Sequence, residues 1–333
     1  MLESRTGRVV LVTGGAGYIG SHVVRSLRRR GDRVVVVDDL STGFAGRVPH
    51  VPFVHLDLAA RGARERLVST MVEQGVTGVL HFAALKSVSD SVATPTRYFD
   101  RNVGGLTNVL SAMEAASVDN LVFSSSAAVY GESAEHAVSE AAPCRPLNPY
   151  GQSKLVGEWM AAAAAAASGP SSVSLRYFNV AGADDALLAD RSVGNLVPIV
   201  VDAVRHDRPV RLLGTDWDTP DGTCVRDYVH VLDLAAAHVA ALDHLERSDR
   251  GSWVVNVGTG AGSSVLEVVR AVEAVSGLRA RLESAPRRAG DPALVVADPA
   301  LAGELLGWRA VCSLDDIVRS AWQTVDAPGA LVA

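Results

Sequence analysis

Thr13-Gly14-Gly15-Ala16-Gly17-Tyr18-Ile19-Gly20 links a β-branched run at 8–13 to a helical stretch. A strand that turns through closely spaced glycines straight into a helix constrains the fold more than any other feature of this chain. Such glycines let the backbone approach a pyrophosphate, whose charge rests on the unpaired amides of the helix N-terminus. Taken alone, a turn of this kind can require glycine for geometry only. Its context is more telling, because the next strand, 33–38, closes on Asp38, where a dinucleotide fold holds the adenosine ribose. A carboxylate there accepts from a 2′-hydroxyl and repels a 2′-phosphate, and no arginine immediately follows. NAD is therefore expected rather than NADP. Asp57, just after the third strand, is placed to reach the adenine.

Strand-like runs at 8–13, 33–38, 52–55, 78–82, 120–125 and 172–177 alternate with helical periods. Continuous apolar stretches such as Val34-Val35-Val36-Val37 suit parallel strands covered on both faces. Over 94–116, Phe99, Val103, Leu106, Leu110 and Met113 recur at helical spacing, with Thr94 as N-cap and Pro95 in the first turn. Asn148-Pro149 opens a second helix that runs through the alanine block 161–167 and stops at Gly169. This alternation predicts an α/β fold with a doubly wound, parallel, Rossmann-type sheet. After Tyr177 the rhythm breaks into loops, a helix near 193–206 and a short strand near 210–213. A helix at 231–245 and a strand at 252–257 then return to the main sheet. The expected organisation is an NAD-binding domain of residues 1–177 plus 230–257. A smaller, discontinuous C-terminal α/β substrate domain takes 178–229 plus 258–333.

A length of 333 residues with 48% hydrophobic and 20% charged residues supports a sizeable core in one large α/β unit or two domains. A net charge of −6 argues against a nucleic-acid or anionic-membrane surface. No apolar run approaches the ~20 residues of a membrane span, and the first residues carry no secretory apolar segment. Cys144, Cys224 and Cys312 are widely spaced and odd in number, which fits neither a disulfide framework nor a metal site. A cytoplasmic protein with reduced thiols is expected. Of the 31 Lys and Arg residues only Lys86 and Lys154 are lysine. A chain that writes arginine for nearly every cation keeps lysine where a compact ammonium with a movable pKa is of use.

Lys154 closes the second signal, Tyr150-Gly151-Gln152-Ser153-Lys154. Positions i and i+4 share one helix face, so the phenol and the ammonium point into one site. A cation at ~4 Å with an effective dielectric of ~20 is worth up to ~4 kcal/mol, or about three pKa units, enough to bring a phenol toward general-base work. Exposed pairs of this spacing are common on helices. Two facts weigh against that reading: one of only two lysines sits here, and Ser126 ends the preceding strand. The C-terminal ends of parallel strands are where such folds do chemistry.

With these residues the chain resembles the extended short-chain dehydrogenase/reductase superfamily. His81-Phe82-Ala83-Ala84-Leu85-Lys86, Ser124-Ser125-Ser126-Ala127-Ala128-Val129-Tyr130-Gly131 and Arg176-Tyr177-Phe178-Asn179-Val180-Ala181-Gly182 narrow the resemblance to nucleotide-sugar enzymes. Asp221-Gly222-Thr223-Cys224-Val225-Arg226-Asp227-Tyr228-Val229-His230 and Arg287-Arg288-Ala289-Gly290-Asp291-Pro292 narrow it further, to the UDP-glucose (UDP-galactose) 4-epimerase family. The match spans nearly the whole chain, and both lysines fall on motif positions.

The resemblance implies that Tyr150 takes the proton from the sugar 4-hydroxyl while C4 passes a hydride to NAD, leaving a transient 4-keto sugar. Lys154 then holds the nicotinamide ribose and lowers the phenol pKa, and Ser126 hydrogen-bonds the reacting oxygen. It implies cofactor contacts at Gly14, Gly17, Tyr18, Ile19 and Gly20, then at Asp38, Asp39, Asp57 and Leu58. Further cofactor contacts are implied at Phe82, Ala83, Ala84, Lys86, Asn102 and Phe178, with Lys86 shared with the substrate. For the nucleotide sugar it implies Asn179, Asn195, Leu196, Arg226, Arg288 and Asp291, with Leu212 and Leu213 walling the uracil. Guanidinium forks suit a diphosphate. The diphosphate must stay gripped while the flat ketone turns, so the site should be tight around UDP and loose around the hexose.

Two departures stand out. The stretch from Asn179 to Asn195 is shorter than the family pattern, which bears on Asn195 and the substrate loop. Four residues after Asp291, where the family limits room beside the sugar C2, this chain has the small Val295. N-acetylated UDP-hexoses are therefore expected as substrates. A UDP-glucuronate 4-epimerase shares the mechanism and remains open. A nucleotide-sugar 4,6-dehydratase or decarboxylase is disfavoured, because the Asp-Glu pair that dehydration needs after the strand-end hydroxyl reads Ala127-Ala128. A non-catalytic NAD-responsive binding protein has no use for a base beside the nicotinamide. A homodimer is expected through the helices near 94–116 and 149–167.

Overall fold

The computed structural model describes residues 7–132, 136–192, 194–288 and 291–324. Seven strands, β1 (Val9–Thr13), β2 (Arg33–Asp38), β3 (Phe53–His55), β4 (Gly78–His81), β5 (Asn120–Ser124), β6 (Ser171–Tyr177) and, later in the chain, β10 (Ser252–Val257), form one sheet. Its order is β10-β6-β5-β4-β1-β2-β3 and every pairing is parallel. The continuous valine and leucine runs are explained by this placement, since β1 and β2 bury residues on both faces. The helices Tyr18–Arg29, Val231–Leu245 and Ala300–Leu306 pack on one face, and Ala63–Gln74 and Gly105–Ala116 on the other, which Ala161 of the Pro149–Ala166 helix also joins. The chain leaves β1 toward β2 on one side and crosses back to β4 on the other. The strand ends at β1 and β4 are therefore the switch point where such sheets bind ligands, and the glycine turn lies there.

The remaining strands are β7 (Asn179–Ala181), β8 (Pro209–Leu213), β9 (Val225–His230), β11 (Gly262–Ser264), β12 (Arg281–Ala285) and β13 (Leu294–Val295). β9 pairs with β7, β11 and β13, and β8 pairs with β12. The helices Leu196–Arg205, Val265–Ser276 and Leu314–Gln323 build a separate apolar cluster around Tyr228 of β9. The sequence division at residue 258 does not follow the cores. Ala302, Leu306 and Trp308 pack into the main-sheet cluster, and the Trp308 indole donates to the Asp233 carbonyl at 2.9 Å.

The expected single helix over 94–116 is interrupted. One turn, Pro95–Tyr98, widens into a π-helical stretch, Phe99–Gly104, before the regular helix Gly105–Ala116. The widening turns Asn102 inward, where its side chain is fully engaged, and such π-bulges commonly mark functional positions. Thr94 does not cap; its hydroxyl donates to the Asp90 carbonyl at 2.9 Å. The Pro149–Ala166 helix begins as the sequence indicates, with the Asn148 side chain accepting from the Gly151 amide at 2.9 Å. Val193, where the sequence starts the next helix, lies outside the described residues, as do Ala289 and Gly290.

Candidate active site

The glycine turn is closed by its own backbone. Gly14 adopts φ +68°, its amide donates to the Val37 carbonyl at 2.8 Å, and the Gly17 amide donates to the Gly14 carbonyl at 3.1 Å. A Cβ at Gly14 would stand 2.7 Å from the Ala83 nitrogen, and one at Gly20 would stand 2.3 Å from the Gly14 carbonyl oxygen. No side chain caps the Tyr18–Arg29 helix, so its first-turn amides are left for an anion. Tyr18 donates its hydroxyl to the Gly182 carbonyl at 2.5 Å, and Ile19 packs against the core.

At the end of β2, Asp38 is buried, with Oδ2 accepting from the Ala16 amide at 2.9 Å and Oδ1 from the Leu40 amide at 2.8 Å. Burial pushes its carboxyl above the usual range and the two amides partly offset this. Each oxygen keeps a lone pair for a ribose hydroxyl. Asp39 accepts from the Ser41 amide and hydroxyl at 2.9 and 2.6 Å. The first arginine after β2, Arg47, donates to the carbonyls of Leu187 and Ala189 at 3.2 and 2.9 Å. Asp57 is ion-paired with Arg101, and the carbonyl of buried Leu58 accepts from Asn108 at 2.8 Å. A cradle that a side chain would fill, free helix-end amides and a fixed carboxylate together fit NAD.

Beside the glycine turn, the loop after β4 is clamped from the π-helical stretch. Asn102 exchanges bonds with the Leu85 amide and carbonyl at 2.8 and 3.0 Å and donates to the Ser153 hydroxyl at 2.9 Å. The Asn102 side chain thus holds the loop carrying Phe82, Ala83, Ala84 and the exposed Lys86. Phe82 tilts against His238 at 4.6 Å between centroids. Beneath them, Thr13 Oγ1 and His81 Nδ1 are 2.8 Å apart, and burial holds that imidazole down to about 3.

Tyr150 and Lys154 share a helix face, with Lys154 Nζ 6.0 Å from the Tyr150 ring centroid and 5.2 Å from that of Phe123. Ser126 favours the ionised form of the phenol, and its Oγ accepts from the Ala128 amide at 3.1 Å. Lys154 donates to the Ser124 carbonyl at 2.7 Å. The electrostatics correct the sequence argument. Burial pushes the Tyr150 phenol up, opposed by Ser126, so the net direction is upward. Lys154 is itself held down to about 7 by burial, against the pull of Glu158. The Coulomb estimate assumed a fully charged ammonium close to the phenol, whereas this one is buried, farther away and bonded elsewhere.

On the substrate side, Arg226, Arg288 and Asp291 come together. Arg288 is bidentate on Asp291 at 3.0 and 2.8 Å, and Arg226 Nη2 is 4.0 Å from the same carboxylate. Val295 pairs in register with Arg226 and packs against the apolar cluster that includes Val129 and Phe178, which Ala127, the residue after Ser126, also borders. Asn179 is exposed at the start of β7. Asn195 precedes the Leu196–Arg205 helix but donates to Asp190 at 2.5 Å, so the shortened loop holds this side chain internally. Leu212 and Leu213 cannot wall one ring with both side chains. Adjacent strand residues face opposite ways, and Leu212 is buried while Leu213 is exposed.

Sequence reading missed Glu158 and Arg176. They lie 18 residues apart and meet only because the helix packs on β6. The available signal was Glu158 four residues after Lys154, the spacing already used for Tyr150. Among the described residues no group of three or more His, Cys, Asp or Glu could hold a metal, and no helix is long and apolar enough to cross a membrane.

Comparison with known proteins agrees with this geometry. Residues 10–258 match the model of the NAD dependent epimerase/dehydratase family. A UDP-glucose 4-epimerase of Azospirillum brasilense is 47% identical over 318 residues, covering 94% of this chain and 90% of that protein. The solved UDP-glucose-4-epimerase of Stenotrophomonas maltophila, with bound NAD and formylated UDP-arabinopyranose, superposes with a TM-score of 0.91 at 42% identity, covering 95% and 97% of the two chains. That of Bifidobacterium longum, in complex with NAD+ and UDP, gives 0.87 at 38%, covering 96% and 98%.

Proposed function

Because the chain belongs to the NAD dependent epimerase/dehydratase family, among its UDP-glucose 4-epimerases, we propose the following assignment of its site to that reaction. The protein is an NAD-dependent enzyme that inverts C4 of a UDP-hexose. The observation that carries the assignment is the convergence of Ser126, Tyr150 and Lys154 at the C-terminal end of β5, on the same edge of the sheet as the glycine turn after β1.

Gly14, Gly17, Tyr18, Ile19 and Gly20 hold the cofactor pyrophosphate on backbone amides. Asp38 takes the adenosine ribose, with Asp39, Asp57 and Leu58 beside the adenine. Phe82, Ala83, Ala84, Lys86 and Phe178 border the nicotinamide end, and Asn102 supports that border from behind. When bound, NAD supplies the hydride acceptor and donor for C4, and with it a positive ring charge of the kind the buried phenol lacks. Tyr150 exchanges a proton with the sugar O4, Ser126 hydrogen-bonds that oxygen, and Lys154 fixes the ribose next to it. Arg226 and Arg288 grip the diphosphate, oriented by Asp291, while Asn179, Leu196 and Leu213 border the nucleotide sugar.

The protein works as a cytoplasmic homodimer. Val92 and Trp159 are 64% and 62% exposed on the helices Val88–Ala93 and Pro149–Ala166, and Phe99 lies between them in sequence on the π-helical stretch. The contact runs through these residues rather than through Leu106, Leu110 and Met113, which the core already buries. The free thiols of Cys144, Cys224 and Cys312 suit a reducing compartment.

The test is incubation of the purified protein, without added NAD, with UDP-galactose, UDP-GalNAc and UDP-glucuronate, followed by separation of the product sugars. UDP-glucose formed from UDP-galactose supports the reading. Conversion of UDP-glucuronate alone, or of none of the three, refutes it.

A further inference from the structure

Behind the reaction site lies a buried charge network that the assigned chemistry does not use. Arg176 of β6 is bidentate on Glu158, with Nε to Oε1 at 2.9 Å and Nη2 to Oε2 at 2.6 Å. Both side chains are almost completely buried, as is Lys154. The Ser125 hydroxyl donates to Glu158 as well. Arg176 Nη1 reaches the Tyr130 hydroxyl at 3.0 Å, which donates to Asn256 Oδ1 at 2.6 Å, and the guanidinium lies over the Tyr130 ring at 4.8 Å.

We propose, resting on the function assigned above, that Glu158 is a positioning residue. Held by Arg176, it fixes the strand end that carries Ser126 and acts as counter-charge to the Lys154 ammonium one helical turn away.

Three connections support this. Ser125 adjoins Ser126, so the bond from its hydroxyl to Glu158 sets where the strand end sits. Glu158 follows Lys154 on the same helix face, at the spacing where side chains interact. A buried ion pair is a poor stability device, because desolvation consumes most of the Coulomb gain. The charged and titratable groups around Lys154 are few. Its own helix gives Tyr150 and Glu158, β4 gives His81, and β6 gives Tyr177, a protonated phenol bonded to Ser124, and Arg176 behind Glu158. His81 stays neutral through ordinary pH, so Glu158 is the anion in the set. At the ~6 Å of such a pair and an effective dielectric of ~20, one carboxylate is worth up to about two pH units on the ammonium.

The chain's two lysines make a direct test practical. Holoenzyme labelled at lysine 13Cε gives one signal from exposed Lys86 and one from Lys154, whose midpoint is read by NMR against pH. Glu158→Gln should lower that midpoint by one to two pH units, Glu158→Asp should restore it to within half a unit, and the alkaline limb of kcat should follow. Arg176→Gln leaves buried Glu158 without its guanidinium partner, so the Lys154 midpoint should shift and kcat should fall. If Glu158→Gln fails to fold, Arg176→Gln decides alone: an unmoved Lys154 midpoint with wild-type kcat there overturns the proposal. An unmoved midpoint in folded Glu158→Gln also overturns it, leaving a purely structural pair. Wild-type turnover of UDP-galactose, measured alongside, separates failure of this proposal from failure of the assigned function.

Discussion

Lys154 Nζ lies 6.0 Å from the Tyr150 ring centroid, yet its hydrogen bond goes to the Ser124 carbonyl at 2.7 Å. The ammonium is thus fixed to the strand end that presents Ser126, and the phenol meets Ser126 from the same side. The protein alone keeps this phenol protonated, because burial raises it and Ser126 only partly offsets the effect.

The diphosphate grip is the first consequence to measure. Arg288 is held in place by Asp291 and stands beside Arg226. A charged hydrogen bond is worth roughly 1.5–3 kcal/mol, so Arg288→Ala should raise KM for UDP-galactose about 10- to 100-fold with kcat within about threefold. Steady-state kinetics checks this, and an unchanged KM removes Arg288 from the site.

The expectation that Val295 leaves room beside the sugar can be measured. This residue borders the same apolar cluster as Phe178 and Ala127, so a larger side chain there takes up room near the strand end that carries Ser126. Wild type should turn over UDP-GalNAc as well as UDP-galactose. Val295→Tyr should cut kcat/KM for UDP-GalNAc about 10- to 100-fold relative to UDP-galactose. No turnover of UDP-GalNAc by wild type, or an unchanged ratio in the variant, contradicts the assignment.

Acid stability should depend on buried histidines. Burial holds His22 and His238 down to about 4 and His81 to about 3. Their unfolded forms protonate near ~6.5, so between that pH and about 4 the unfolded chain binds more protons and stability falls as pH falls. Each group contributes up to about 1.4 kcal/mol per pH unit in that window. His238 Nδ1 bonds the Leu234 carbonyl at 2.9 Å, and Nε2 has no partner. Replacing this ring should therefore remove one proton from the uptake on unfolding at little cost in hydrogen bonds. Chemical denaturation of His238→Phe between pH 4.5 and 7 should show a shallower pH dependence than wild type. An equal slope sinks the assignment.

Much of the fold was legible because parallel strands covered on both faces leave unbroken runs such as Val34–Val37, and because Asn148 and Pro149 mark a helix start unambiguously. Ser126, Tyr150 and Lys154 were legible for a similar reason, their spacing being local to one strand end and one helix. What was hidden depends on contacts between distant segments. The π-helical interruption at Phe99–Gly104 comes with the Asn102 clamp on Leu85, which no local period reports. Glu158 meets Arg176 through helix-on-sheet packing. The stripe Leu106, Leu110 and Met113 had the right spacing, but spacing does not say whether a stripe faces the core or a partner. The phenol's protonation was misjudged because a sequence gives the distance between two groups more readily than their desolvation.

The account rests most heavily on Tyr150 as the base, and Tyr150→Phe tests it most directly. NAD released from the denatured variant should match wild type mole for mole, while kcat for UDP-galactose falls about 10²- to 10⁴-fold. A fully loaded variant with kcat within a few-fold of wild type would contradict it.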